Sequence, residues 1–535
     1  MDRGRRAFLW RSAALAAPLL LSRGLGLPEA SAQAVGRPAQ SVRDHGARGD
    51  GQTLDTRALQ AAIDAAGSSR GIVYFPPGVY VSGTLRLRSH TTVRLAAGAT
   101  LIASRDDADF DPAEQLGYDS FADAETTSFR FALLQGHGLE DVRILGPGRI
   151  DGNRTSRDGP KPIALKECRK VELRDVTLVN AGNYNVSLLG CDGVEIVGVT
   201  ILNGYSDGID PDCCQDVRIA SCRIDTRDDA IALKTSFALG IRRATRRVTV
   251  TGCHLTSFHN ALKLGTETTG DFADIVFRNC TVVGRRHPWK GDLSCGVAIE
   301  TVDGGHIERV TVSDIRMTGA RTPIFVRLAQ RGRGQDVPAA GRLRSISIAN
   351  LEAVGAQIAS SITGIPGHPV SDISLKSVRI TARGGGGADL AAQSVPEMEK
   401  TYPDAYMFRD LPAYGLFCRH ADGLTLDRIT LGADQPDARP AVVLDDVSRA
   451  RLSSVQAMPP AEGGPLVWLR SVRDCSLDRL RPRAGTRTLL RLSGADTTRI
   501  RVVDSDLRQV EKPAIVDPEV PATALRMEGI LRAGR

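Results

Sequence analysis

From about residue 70 onward, apolar and polar residues alternate in short runs, and the runs themselves repeat. The segments CRKVELRDVTLVN, CDGVEIVGVTILN and CQDVRIASCRIDT begin at Cys168, Cys191 and Cys214, 23 residues apart. Val171, Val194 and Val217 share one register position; Leu173, Ile196 and Ile219 share a second, and Leu178, Ile201 and Ile224 a third. A period of two marks a half-buried strand. The pattern returns with longer insertions at RRVTVTGCHLTS, ADIVFRNCTVVG and HIERVTVSDIRMTG, then at RSISIANLEAV, SDISLKSVRITA, DGLTLDRITL and RDCSLDRLRP. About ten copies of one short β motif predict a solenoid, because a single rung cannot bury its apolar face without neighbours. Rungs this short, with Gly, Asn and Asp between strands, predict an all-β fold: a right-handed, single-stranded parallel β-helix. Leucine-rich spacing is missing, helical repeats need longer amphipathic runs, and propeller blades need about 40 residues.

One stretch departs from the strand period. TLDTRALQAAIDAAG puts Leu59, Ala62 and Ile63 on one helical face, with Asp55 or Thr56 placed to cap it. It predicts a short N-terminal capping helix. The expected layout is one β-helix domain over 35–535, with a cap region at 35–70, coils at 71–510 and a tail at 511–535. The tract 382–414, with glycines at 384–387 and the run VPEMEKTYPDAYMFRDLPAY, breaks the repeat and predicts a long loop against the helix side.

Composition narrows the class. At 535 residues and 42% hydrophobic, the chain is too apolar for disorder, and its 54 glycines follow no collagen period. An aromatic content of 4% suits a narrow interior filled by Val, Ile, Leu and Ala. Residues 1–34 read as an export signal, with Arg3, Arg5, Arg6 and Arg11, an apolar run from Ala13 to Leu21, and Ala32-Gln33-Ala34. Arg5-Arg6-Ala7-Phe8-Leu9 resembles the twin-arginine motif. A periplasmic or secreted location is expected, with no membrane association once the signal is removed; no later apolar run reaches the roughly 18 residues of a spanning helix. The net charge of +7 falls to +4 without the signal, 64 basic against 60 acidic residues, which argues against nucleic acid. No C-x-x-C spacing points to a metal, and a monomer is expected.

The register also arranges the acids. Sliding the segments so that the following strands coincide lays Asp207-Gly208-Ile209 over Asp229-Ala230-Ile231 and His259-Asn260-Ala261-Leu262. Asn185 is expected in the same place one coil earlier. Residues sharing a rung position stack about 4.8 Å apart. Asp207 and Asp229 are then neighbours with Asn260 beyond, and Asp228 and His259 form a parallel column. Three such carboxylates cannot all ionise freely, so at least one pKa is expected to rise. That suits acid and base work at a glycosidic bond; a calcium site is the second reading of the same cluster. Asn180, Asn185 and Asn203 are read as structural turn residues.

These residues resemble glycoside hydrolase family 28, the polygalacturonase family of right-handed β-helices. DHGARGDGQTLDTRALQAAIDA, SRGIVYFPPGVYVSG and LEDVRILGPGRIDGN resemble its N-terminal segments, and SDGIDPDCCQDVRIASCRIDTRDDAIALKTS its central signature. The resemblance implies Asp228 as the general acid, Asp207 and Asp229 as the pair activating water, and His259 as the histidine near the acid. It implies Lys234 as a substrate-binding lysine. HNALKLGTE matches a family motif in spacing, which adds Asn260, Lys263 and Glu267 as substrate-binding positions. It implies single-displacement inversion with no metal and no cofactor. The chain departs where the family carries R-I-K: Ala298-Ile299-Glu300 stands there, in GVAIETVDGG. A Glu300 carboxylate facing a uronate would repel it by roughly 1 kcal/mol at surface dielectric. The expected activity is therefore hydrolysis of a pectin-related polysaccharide or oligosaccharide other than simple polygalacturonate, with a neutral sugar such as rhamnose or galactose at the bond cleaved. The alternatives are a calcium-dependent polysaccharide lyase, with Arg321 or Arg327 as its basic residue, and a non-catalytic carbohydrate-binding β-helix. Insertions at Phe237–Thr245 and Arg285–Ser294 are candidates for closing one end of a groove.

Overall fold

The computed structural model describes residues 39–285 and 293–532; the expected export signal lies outside them, as does most of the insertion at Arg285–Ser294. Each coil passes through three strand positions. The turn beginning at Arg169–Arg174 continues through Thr177–Val179 and Val186–Leu189, and the next coil lays Asp192–Val197, Thr200–Gly204 and Ile209–Asp212 in parallel on them. The pairing reproduces the 23-residue register: Val171 faces Val194, Val194 faces Val217, and Leu178, Ile201 and Ile224 stack in turn. The architecture is a parallel β-helix.

Alternation sends every second side chain inward, into one apolar cluster that runs from Val42 to Ala524. Removing such a side chain from water contributes about 1.5–3 kcal/mol, so a charge at Ile196 or Ile219 would break a rung. Cysteines share this interior. Cys168, Cys191 and Cys214 stack in one column, Cys222, Cys253 and Cys280 in another, and all ten thiols are buried and unbridged. At the corners, Asn180 and Asn203 take left-handed backbone angles, and their amides bond to each other at 2.8 Å. That is the structural role expected of them. From Phe272 the first two strand positions fuse into straight strands of 13, 13, 15 and 13 residues.

The helix Thr56–Ser69 covers the N-terminal end with Leu59, Ala62 and Ile63 fully buried. Asp55 sits at the N-cap position without capping it. Its carboxylate accepts instead from the backbone amides of Arg48 and Gly49, at 2.8 and 2.9 Å. The expected tail is also corrected: Lys512–Val516 and Leu525–Glu528 are strands that pair with the preceding coil. Proline and charge there hide the alternation. Val442–Ser453 is a further strand, beyond those expected from the repeat.

The tract between Val370–Ala382 and Leu416–Ala433 is the predicted long loop. Ala391, Val395, Ala405, Phe408 and Leu411 join an apolar cluster with Ala298, Phe325, Phe417, Val443 and Trp468 of the outer sheet face. Three arginines hold its backbone. Arg327 donates to the Glu397 carbonyl at 2.6 Å, Arg419 to Val395 and Pro396 at 2.6 and 3.0 Å, and Arg470 to Ala391 at 2.6 Å. All three occupy one column of the helix, which begins at Glu300.

Candidate active site

The acids lie in the turns that lead into Ile209–Asp212, Ile231–Thr235 and Asn260–Thr268. Ile209 pairs with Ile231 and Ile231 with Leu262, so Asp207, Asp229 and Asn260 stack in one column with Asp228 and His259 beside them. Asn185 is displaced from the expected position. Val186 pairs with Ile209, which sets Asn185 against Gly208 and puts Tyr184 in the Asp207 column. The Asn185 amide donates to the Asp207 carbonyl at 2.9 Å, a structural bond.

The three carboxylates have different surroundings. Asp229 is buried and accepts from Lys263 Nζ at 2.9 Å and from the Asn260 backbone and side-chain amides at 3.1 and 2.6 Å. Burial alone would raise it, but Lys263 and His259 hold it well below the usual carboxylate range. Asp207 shares Lys234 with Asp210, both at 3.1 Å, and Lys234 also bonds the Tyr184 hydroxyl at 2.9 Å. Burial pushes Asp207 well up, with Asp210 adding to the rise; burial pushes Asp210 up to about 6. Asp228 alone of the three reaches solvent, and its carboxylate bonds Arg157, whose other nitrogens grip Glu125 at 2.7 and 2.8 Å.

His259 joins the columns to the long loop. Its Nδ1 lies 3.1 Å from Asp229 and 3.5 Å from Asp228, and its Nε2 lies 3.0 Å from Asp404. Burial would lower the imidazole, but Asp229 and Asp404 push it up to about 10. Oxygen and nitrogen atoms of Asp228, Asp229 and His259 lie within 4.8 Å of one another, close enough to gather a cation. Arg157 and Lys263 already neutralise these carboxylates, so the donor set does not fit calcium.

The residues expected to touch substrate line the floor beneath the acids. Lys234, Asn260, Lys263, Glu267 and Glu300 are all buried, from 7% down to 1% exposed. Lys234, Asn260 and Lys263 serve the carboxylates. Burial would raise Glu267, but Lys234, Lys263 and Arg331 hold it below its ordinary value. Glu300 lies beneath the site, its Oε2 without a partner among the described residues, and burial pushes it up to about 8. Buried at 1% exposure, its carboxyl does not face a bound sugar as the exposed charge expected from sequence. Ala298 is small because the loop packs over it.

Several site residues were missed from sequence. Tyr184 stands in the acid column and Asp210 shares Lys234 with Asp207, while Arg157 comes from a loop and Glu125 from the short helix Ala124–Thr127 before it. Tyr402 and Asp404 come from the long loop, with Lys263 and Arg331 each within 6.0 Å of the Tyr402 ring centre. Only VPEMEKTYPDAYMFRDLPAY carried a signal, its acids and tyrosines crowded into an apolar tract. In the insertion at Phe237–Thr245, Phe237 meets the Tyr118 ring edge-on at 6.1 Å, and Tyr118 donates to the Ala238 carbonyl at 2.9 Å.

Acids whose surroundings push their pKa values apart are the arrangement of an acid–base site. Residues 88–399 match the glycosyl hydrolases family 28 pattern, and residues 39–97 match rhamnogalacturonase A/epimerase, pectate lyase-like. The chain belongs to glycosyl hydrolase family 28 and is a glycoside hydrolase. A probable polygalacturonase of Vitis vinifera is 27% identical over 370 residues, 64% of this chain and 74% of that one. The exo-poly-alpha-D-galacturonosidase of Dickeya chrysanthemi is 24% identical over 45% of this chain, and the match spans 49%, about half, of that relative. The family 28 exopolygalacturonase structure from Yersinia enterocolitica superposes with a TM-score of 0.60 at 18% identity, covering 78% of each chain.

Proposed function

We propose that the protein is exported and hydrolyses a pectin-related polysaccharide or its oligosaccharides with inversion and without a metal. Asp228 protonates the leaving oxygen. Asp207 and Asp229 flank the attacking water, and Asp207 is the stronger base because burial has raised it. Asp229, held ionised by Lys263, supplies the fixed negative charge beneath the oxocarbenium-like sugar. Arg157 bonds the Asp228 carboxylate in the free enzyme, so the incoming sugar must displace it to reach the acid. The observation that carries this reading is the contrast across two adjacent columns: one acid held ionised, one raised, and one open to solvent beside His259.

The test is product formation from a panel of pectic oligosaccharides in EDTA, with reducing ends and ultraviolet absorbance read together. New reducing ends without absorbance are expected. Absorbance that needs added calcium would instead mean β-elimination, and the roles given to the acids would be wrong.

A further inference from the structure

Where the long loop leaves the helix, a cavity of about 560 Å³ opens beside the acid columns. Arg321, Arg383 and Arg409 line it together with Tyr406, Gln357 and Asp410, and Gly384 to Gly386 leave part of its wall free of side chains. Its place follows from the register. Asn260 pairs with Cys295 and Cys295 with Thr322, so the residues just before them, His259, Ser294 and Arg321, form one column. Arg321 is thus two rungs, about 10 Å, from His259 toward the C-terminus. Tyr406 bridges the two places: its hydroxyl bonds Asp404, the partner of His259, and its ring centre lies 5.4 Å from the Arg321 guanidinium.

The charge of the cavity is uneven. Arg439, at its edge, is tied to Asp437 at 2.7 Å. Among the described residues, Arg321, Arg383 and Arg409 form no ion pair with a carboxylate, and the Arg321 Nε is buried without a partner. Elsewhere the arginines around the site are matched: Arg157 by Asp228 and Glu125, Arg331 by Asp303. Three unmatched guanidinium groups around Asp410 leave a surplus of positive charge beside a tyrosine face. Guanidinium forks match carboxylates in geometry and charge.

We propose that this cavity is a distal subsite for a sugar that carries a carboxylate, held while the bond to a neutral sugar lies at Asp228. The proposal rests on the hydrolase reading and deepens it. The cations beside the acids, Arg157, Lys234 and Lys263, are already paired with carboxylates, whereas the cavity two rungs away offers three arginines without an ion pair among the described residues. The substrate it describes mixes neutral and acidic residues, with the acidic one toward the C-terminal end of the groove.

Trigalacturonic acid is the probe, titrated calorimetrically at low salt into an Asp228→Asn background so that nothing is cleaved. Arg321→Gln with Arg409→Gln should weaken binding at least tenfold while the melting temperature stays unchanged. The carboxyl-reduced trisaccharide should bind the Asp228→Asn protein as weakly as the acid binds the triple variant. The proposal is overturned if the acid does not bind, if the arginine changes leave its affinity alone, or if the reduced sugar binds as tightly. Failure of the hydrolase reading would show separately, as the absence of new reducing ends with the wild-type enzyme.

Discussion

Two columns of buried charge run along the same sheet of this helix, and they are neutralised in different ways. In the acid column, charges answer charges: Lys234 lies between Asp207 and Asp210, and Lys263 and His259 converge on Asp229. In the clamp column, Arg327, Arg419 and Arg470 are answered mainly by backbone carbonyls of the loop. Burial shifts groups in both, raising Asp207 and lowering Arg327 to about 10. The first column sets carboxylates side by side with Asp228 open to solvent next to them, whereas the second sets arginines against carbonyls. Buried charge alone therefore does not mark a catalytic site; the kind of partner does.

The sharpest way to test this division is to remove function from one column without touching the other. Asp228→Asn should lower turnover by about 10²–10⁴-fold, with an unchanged melting curve, because Asp228 is the least buried of the three acids. Retained activity would remove Asp228 from its assigned role. Arg327→Leu should do the reverse. It leaves the Gly364 and Glu397 carbonyls unpaired, at about 1–3 kcal/mol, so the melting temperature should drop and the segment 383–415 should become sensitive to protease. A loop that resists cleavage as well as wild type would mean the apolar seat alone holds it.

Asp404→Asn gives the smallest effect and probes the place where the columns meet. His259 is raised to about 10 from an ordinary 6.5. The stability this adds is complete below about pH 6.5 and is lost as pH rises through 10. Without the Asp404 charge, the His259 pKa should fall by about one to two units, read directly by NMR titration. The loss of stability between pH 6.5 and 10 should shrink with it. An unmoved histidine would mean that Asp229 fixes the ring alone.

The repeat was legible because a period of two, carried through rungs of fixed length, leaves the same apolar residues at the same offsets. That placed Asp207 over Asp229 and Asp228 beside His259 before any coordinates. It erred by one residue at Asn185, because the turn before Val186 is one residue longer than the turn before Ile231. What stayed hidden comes from distant segments. Arg157 and Asp404 reach the site over 71 and 145 residues of chain from Asp228 and His259, and no local pattern reports such a meeting. The burial of Glu300 was also beyond the sequence, because it depends on what the loop covers.

The stacked cysteines make time a property of this fold. Once the helix is wound, each thiol is sealed from solvent and inert. Before that, the coils carrying Cys168, Cys191 and Cys214, and those carrying Cys222, Cys253 and Cys280, bring each thiol about 5 Å from the one beneath it, within the backbone separation that a disulfide can span. A premature bridge between neighbouring rungs would be walled in by the next coil as a permanent flaw. Winding is thus a race against any oxidant the chain meets, and a molecule that finishes late carries its history in its core.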